Sequence, residues 1–575
     1  MMTKSITTTI FLLCIVCFYS TQKITTSAFV SPIAASIQKP NRFAPLSPST
    51  VMTKHILDVA TKTTDSTSSS SSSSSLEPFL EGVKRDFGNR FPQYRSDIVD
   101  GINTQSLATV LFLFFACLAP AVGFGSVLGA LTGNQMGVIE MVASTSLSGM
   151  LYAMFSAQPV QLVGPQGPVV SFIAAIFAIS SSLQVPFLTL YAATGSVASL
   201  CLALFAVTSA SNFVFNLTRW TDEIFSVLVS VLFLAQAVGD VSATFRSSTM
   251  TTTALLTLVT CLTTFGTALT LKNLPKTHYL TSSLRKNLAN FAPAIGVVVG
   301  TLIARAARIR WGSFGALPAL QLPSQFVTST GRSWSLIPTV MTTVNSKLWL
   351  AAIPAGIAAA ILLYLDQNIT ARLVNHPRFK QTKGKRTSVL DGMHGDMLVL
   401  AGLTAISSVF GLPFMVGAPT RSAAHVRALV EIDETSGDVK GTIENRVTGF
   451  SIHALIGLCA VATAPRYLLA KVPKAALSGI FLYLGFTSLQ GLEFWDRIRG
   501  LFKDVVVEDK FQTVKRSKLT IFTIAQMMCV WTMMKVTNSK IGVISPVLIA
   551  LLPLARWGLI KIRIVTEDDM KMLDD

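Results

Sequence analysis

Charge is what this chain has least of. Asp, Glu, Lys and Arg make up 13% of its 575 residues, against about 25% in soluble domains. Half of the residues are hydrophobic, and the mean hydropathy is +0.55. A chain so poor in charge cannot cover its apolar surface against water, so the bilayer is the solvent expected for it. Acids are scarcer than bases, 29 against 47, for a net charge of +18. The bases do not form a nucleic-acid surface. They fall in short clusters between apolar runs, such as Arg378-Phe-Lys-Gln-Thr-Lys-Gly-Lys-Arg386, as the positive-inside rule places them.

Cysteine is scarce too. There are seven, all inside apolar runs and with neither zinc spacing nor a disulfide framework. No Gly-rich phosphate loop with Lys-Ser/Thr is present, so ATP-driven pumping has no support. No enzyme motif and no cofactor site stand out. The expectation is a membrane protein without catalysis.

The N-terminus reads as targeting sequence. Residues 1–26 have the form of a signal peptide: Lys4, then an apolar core from Ile10 to Tyr19 that is short for a span. The stretch after it is Ser/Thr-rich, basic and nearly free of acids until Asp58. Its Thr26-Ser-Ala-Phe-Val-Ser-Pro32 resembles the junction of the bipartite plastid presequences of diatoms and related algae. The alternative is a plain secretory signal and a plasma-membrane location. Residues 27–75 end in the serine run Ser68–Ser75, a flexible linker by composition. Residues 76–104 form a basic pre-membrane segment, 105–565 the transmembrane domain and 566–575 an acidic tail.

From Gln105 onward, long apolar runs alternate with short polar joints. They predict spans near 105–130, 137–157, 159–180, 187–212, 221–240, 253–273 and 289–306, and after a longer joint near 347–366, 393–411, 413–432, 447–465, 472–490, 517–537 and 541–562. The fold class expected is an all-α polytopic membrane protein of fourteen transmembrane segments, seven plus seven. The basic joints fall on one side and put both termini on one face.

Two breaks occupy corresponding places. The third segment opens with Gln158-Pro-Val-Gln-Leu-Val-Gly-Pro-Gln-Gly-Pro168, and its counterpart with Gly411-Leu-Pro-Phe-Met-Val-Gly-Ala-Pro-Thr-Arg421. Paired Gly/Pro interruptions point to a midplane site in an inverted-repeat transporter. A half-helix that starts inside the membrane has free N–H groups and a positive end, both favourable to an anion. Gly164, Pro165, Gln166, Gly167, Ala418, Thr420 and Arg421 are the candidate binding residues. An arginine at mid-membrane costs several kcal/mol and is tolerated beside an anion. Its planar fork suits bicarbonate or carbonate. Asp366 closes the eighth segment as predicted and is the candidate for holding a coupling cation, Na⁺ or H⁺. Lys535 is placed on an access path. Glu140 reads as a structural acid, and His425, one turn past Arg421, as packing.

The residues resemble those of the bicarbonate transporter family, which includes the red-cell anion exchanger, sodium-bicarbonate cotransporters and borate exporters. The resemblance runs from about Leu80 to Asp569. It is strongest at Gly133-Asn-Gln-Met-Gly-Val138, Leu217-Thr-Arg-Trp-Thr-Asp-Glu-Ile-Phe225, Gly479-Ile-Phe-Leu-Tyr-Leu-Gly-Phe-Thr-Ser-Leu489 and Phe494-Trp-Asp-Arg497. It implies a 7+7 inverted repeat, core and gate domains, and a homodimer in the bilayer. Arg421 matches the family's anion-site arginine, Asp366 its acidic residue on the eighth segment and Lys535 a lysine reactive with stilbene inhibitors. Sodium-coupled members also have aspartate there, which favours Na⁺-coupled bicarbonate transport; chloride/bicarbonate exchange and borate export are the alternatives. Borate members usually lack the arginine. Pro165 and Pro419 depart from the family pattern and remove backbone donors, and Gln166 is the candidate to supply a lost hydrogen bond.

Overall fold

The computed structural model describes residues 80–216, 219–247, 251–320, 322–323, 325–336, 346–384, 392–432, 439–490, 492–502, 516–537, 545–561, 569–570 and 573. The presequence and the serine run lie outside these residues.

The described chain is a multi-pass membrane protein built of helices. Nine of its helices are long and apolar enough to cross a membrane; a tenth results if Val447–Val461 and Thr463–Ala470, bent by 79°, count as one span. Gly167–Leu183 and Lys474–Leu489 are apolar but shorter. Each predicted segment contains a helix, with three differences. The eighth helix runs Ser346–Val374 rather than stopping at 366. The tenth segment is helical only over Pro419–Ala428, and then turns into a strand, Val430–Ile432, paired with Val439–Thr442. The third begins its helix at Gly167, after an extended run.

Local chemistry explains the helix starts. Asn103 caps Thr104–Leu131 by accepting from Ser106 N at 2.7 Å. Glu140 lies in the first turn of Val138–Phe155 and accepts from Gly137 N at 2.8 Å. It also takes Ser329 N and Ser329 Oγ, both at 2.6 Å. Glu140 is thus the structural acid expected, joining a helix start to the loop around Ser329.

The pre-membrane segment is part of the folded body. Arg90 and Asp97, both buried, pair at 2.7 Å. Arg90 also reaches Glu444 at 2.7 Å, and Arg446 reaches Asp97 at 3.1 Å. Lys383, from the basic joint, adds a third cation, 3.3 Å from Asp97. Glu444 further accepts from the amides of Thr382 and Lys383. Buried charges paired in this way hold the segment in one register. Removing one partner from such a set costs about 3–5 kcal/mol.

One turn earlier, Asp86 caps helix Met393–Phe410, its Oδ2 accepting from His394 N at 2.9 Å and Gly395 N at 3.0 Å. Burial pushes the Asp86 carboxyl up from 3.8 to about 7, against the opposing pull of the Gly395 amide. A carboxyl raised in the folded state adds stability below its ordinary range, and that stability is lost as pH rises through about 7. Asp86→Asn cannot titrate. Thermal unfolding in detergent should show wild type losing stability relative to Asp86→Asn between about pH 4 and about pH 7, by at most on the order of 4 kcal/mol.

Candidate anion site at the crossed breaks

The two breaks meet. Val163 and Gly164 pair antiparallel with Gly417 and Val416. The register is extended by Ala418 N donating to Leu162 O at 2.9 Å. Two residues per strand is all the sheet there is, because each break resumes a helix at once. Pro168 stands in the first turn of Gly167–Leu183, and Pro419 starts Pro419–Ala428. Proline fits the first turn, where an N–H has no helical partner. The first intrahelical bonds are Val170 N to Gln166 O and Ser422 N to Ala418 O. Two free main-chain donors therefore remain at each end: Gly167 and Val169 on one, Thr420 and Arg421 on the other.

Other helices satisfy the rest of the extended backbone. Ser422 Oγ accepts from Leu162 N and donates to Leu162 O, both at 3.0 Å. Gln367 Oε1 takes Gly417 N at 3.0 Å. His425 places Nδ1 2.6 Å from Val160 O and Nε2 2.7 Å from Thr448 Oγ1. Tyr191 Oη donates to Leu412 O and Ser144 Oγ to Pro413 O. His425 is thus a strut for the first break.

Against this saturated backbone, three buried side chains stand out. Arg421 donates through Nη2 to Pro165 O at 2.6 Å, while its Nη1 has no partner. Asp366 is 1% exposed, and neither carboxylate oxygen has a partner. Gln161 is equally buried, with both amide atoms unpartnered. An orphaned buried charge is expensive unless a ligand completes it.

Glycines bring these groups together. A methyl group on Gly164 would lie 2.8 Å from Arg421 Nη1. One on Gly417 would lie 2.5 Å from Gln161 Nε2 and 2.9 Å from Thr370 Oγ1. Thr370 stands one turn after Asp366 on the same helix and donates to its carbonyl at 2.7 Å. Arg421 thus sits on one side of the strand pair, and Gln161 and Thr370 stand at its Gly417 end. Phe124 and Phe233 stand near Gly167 as an apolar wall. Thr420 is exposed, and Gln166, Pro168 and Pro419 are half-buried, so the helix ends are not fully enclosed.

The predicted residues divide as follows. Arg421, Gly164, Pro165, Gly167 and Thr420 converge at the crossing. Pro165 contributes its carbonyl to Arg421, a role that needs no N–H. The Ala418 N–H is used by Leu162. The Gln166 side chain makes no capping bond. Asp366 is not at a helix end: two further turns follow it to Val374. Lys535 stands apart, exposed, with its ammonium 4.5 Å from the Trp531 ring centroid. The sequence reading missed Gln161, Gln367 and Thr370. A glutamine in an otherwise apolar break was the available signal for the first.

The family model for the HCO3⁻ transporter integral membrane domain matches residues 78–253 and 240–575. Human Band 3 anion transport protein is 31% identical over 507 residues, 83% of this chain and 54% of that protein. The mouse protein of the same name is 30% identical over 520 residues, 86% and 54% of the two. The chain spans about half the length of the curated relatives it matches. The solved structure of the murine Solute Carrier 26 family member A9 anion transporter, in the inward-facing state, aligns with a TM-score of 0.55 over 91% of this chain and 77% of that one. At 10% identity this is a likeness of fold alone. With both breaks, Arg421 and Asp366 inside the matched range, the chain belongs to the bicarbonate transporter family.

Proposed function

We propose that this protein is a secondary transporter that moves bicarbonate or carbonate across a membrane by alternating access, coupled to Na⁺. The observation that carries the reading is the buried, unpartnered Nη1 of Arg421 beside Gly164. The anion lies between the two half-helix ends. The main-chain donors of Gly167 and Thr420, with the guanidinium, complement a planar oxyanion. Asp366 takes Na⁺, with Thr370 Oγ1 and Gln161 Oε1 as neutral oxygen donors. Each ion then neutralises the buried charge that would repel the other, so each favours the other's binding. Fourteen segments in a 7+7 inverted repeat, with core and gate domains and a homodimer through the gate, complete the reading. The presequence supports a plastid envelope.

A second reading, chloride/bicarbonate exchange, is favoured by the names of the relatives, Band 3 anion transport protein and zebrafish Anion exchange protein 3. Flux that needs chloride and ignores sodium would decide for it. Borate export is a third; Arg421 weighs against it.

Three substitutions test the site in proteoliposomes. Arg421→Ala removes charge-assisted bonds of about 1.5–3 kcal/mol, so bicarbonate uptake should fall roughly ten- to a hundredfold. Undiminished uptake at unchanged expression would falsify the anion site. Asp366→Asn should abolish the sodium dependence; a sodium response equal to wild type refutes the coupling. Gly164→Ala should displace the guanidinium and raise the KM for bicarbonate about tenfold or more, and an unchanged KM would mean that Arg421 does not set affinity.

A further inference from the structure

His453 has no part in the site described so far. It lies in helix Val447–Val461 and is 1% exposed. Its ring is seated on Gly149 of helix Val138–Phe155, where a methyl group would fall 1.9 Å from Cδ2; only glycine leaves room for it. Both ring nitrogens face main-chain carbonyls. Nδ1 is 2.7 Å from Gly449 O, one turn back, and Nε2 is 3.1 Å from Val163 O. A carbonyl oxygen only accepts, and a neutral imidazole has a single N–H. The neutral ring therefore satisfies one carbonyl and turns a lone pair towards the other. The imidazolium satisfies both.

The second carbonyl belongs to the site. Val163 pairs with Gly417 and precedes Gly164, against which the Arg421 guanidinium rests. The charged and titratable groups around the ring are few. Helix Pro419–Ala428 presents Arg421 and His425, each in electrostatic reach of His453. Helix Val138–Phe155 carries Tyr152, which accepts from Gln367 at 2.9 Å and contacts Asp396, and Glu140, bound to Ser329. Helix Thr104–Leu131 carries only Cys117. Thr463–Ala470 carries Tyr467 and Arg466, the latter turned onto Ala460 O. A proton on the ring is thus opposed first by burial and then by Arg421, and rewarded by two carbonyls. An anion beside Arg421 removes the repulsion and leaves the reward.

We infer that His453 is a positioning residue that takes up a proton as the anion binds, fixing the Val163 carbonyl and with it the strand pair that seats Arg421. Proton and anion then bind cooperatively, and each raises the affinity for the other by the same factor. The inference rests on the reading that the anion sits beside Arg421.

The test uses the full chain in proteoliposomes. KM for bicarbonate is measured from about pH 8 to about pH 6, the range over which histidine charges, with the free bicarbonate concentration held equal at each pH. The KM of wild type should fall severalfold as pH is lowered. His453→Gln keeps one donor for Val163 O and cannot titrate, so it should transport with a KM that no longer varies. His453→Leu should lose affinity throughout. A flat wild-type KM overturns the inference, as does a His453→Gln variant that keeps the wild-type slope. Should the variants not fold, ¹⁵N-histidine NMR of wild type at fixed pH decides: bicarbonate should convert one buried ring to the imidazolium, and a spectrum without that change refutes the proposal. Arg421→Ala with undiminished uptake overturns the anion site itself, a result separable from any pH profile.

Discussion

A main chain that leaves the helix inside a bilayer must find protein partners for every N–H and C=O it exposes, because lipid offers none. The two breaks meet this constraint jointly. They pair with each other at Val163–Gly417 and Gly164–Val416. Ser422, Gln367, His425, Tyr191 and Ser144 take up most of the rest from four different helices. The half-helices are therefore held by side chains spread through the molecule. Among the buried polar side chains left without partners, Arg421 Nη1 and Gln161 lie against the strand pair itself, and Asp366 lies on the helix that packs against it.

The buried charges come in two kinds. Near the pre-membrane segment, Arg90, Asp97, Glu444, Arg446 and Lys383 complete one another. Such sets fix geometry at the expense of desolvation and favour a single arrangement. At the crossing, Arg421 beside the strand pair and Asp366 on the helix packed against it each have unused bonding capacity. The first arrangement suits a rigid body and the second a place that fills and empties. The proposed function calls for both, since under alternating access the site would be carried intact while its contents change.

Much of this was legible in the sequence. The breaks were marked by Gly164, Pro165, Gly417 and Pro419, since glycine and proline leave the helix for local reasons. Arg421 was legible because a mid-membrane cation has few explanations. The position of Asp366 was misread. The polar run after it, Gln367-Asn-Ile-Thr370, resembles a helix end. Gln367 is needed there to hold Gly417, a tertiary reason that hydropathy cannot show. The same holds for Gln161 and His453, whose partners lie far away in sequence. The basic joint read as a solvated cluster, yet Lys383 is drawn into a buried network by acids on two other segments. The shortened tenth helix was hidden as well, because Val430–Ile432 is apolar enough to continue a span and is instead half of a hairpin.

The ionic set around Arg90 makes the short amphipathic stretch before the first span a rigid outrigger of the body that holds Arg421. Asp86 clamps it to helix Met393–Phe410, and Glu444 and Arg446 to the segment beyond the second half-helix. Lys84 projects from that stretch and is exposed. A dye carried there rides with the body that holds Arg421. Under the proposed alternating access, its distance to a second dye on Lys535 becomes a ruler for the stroke.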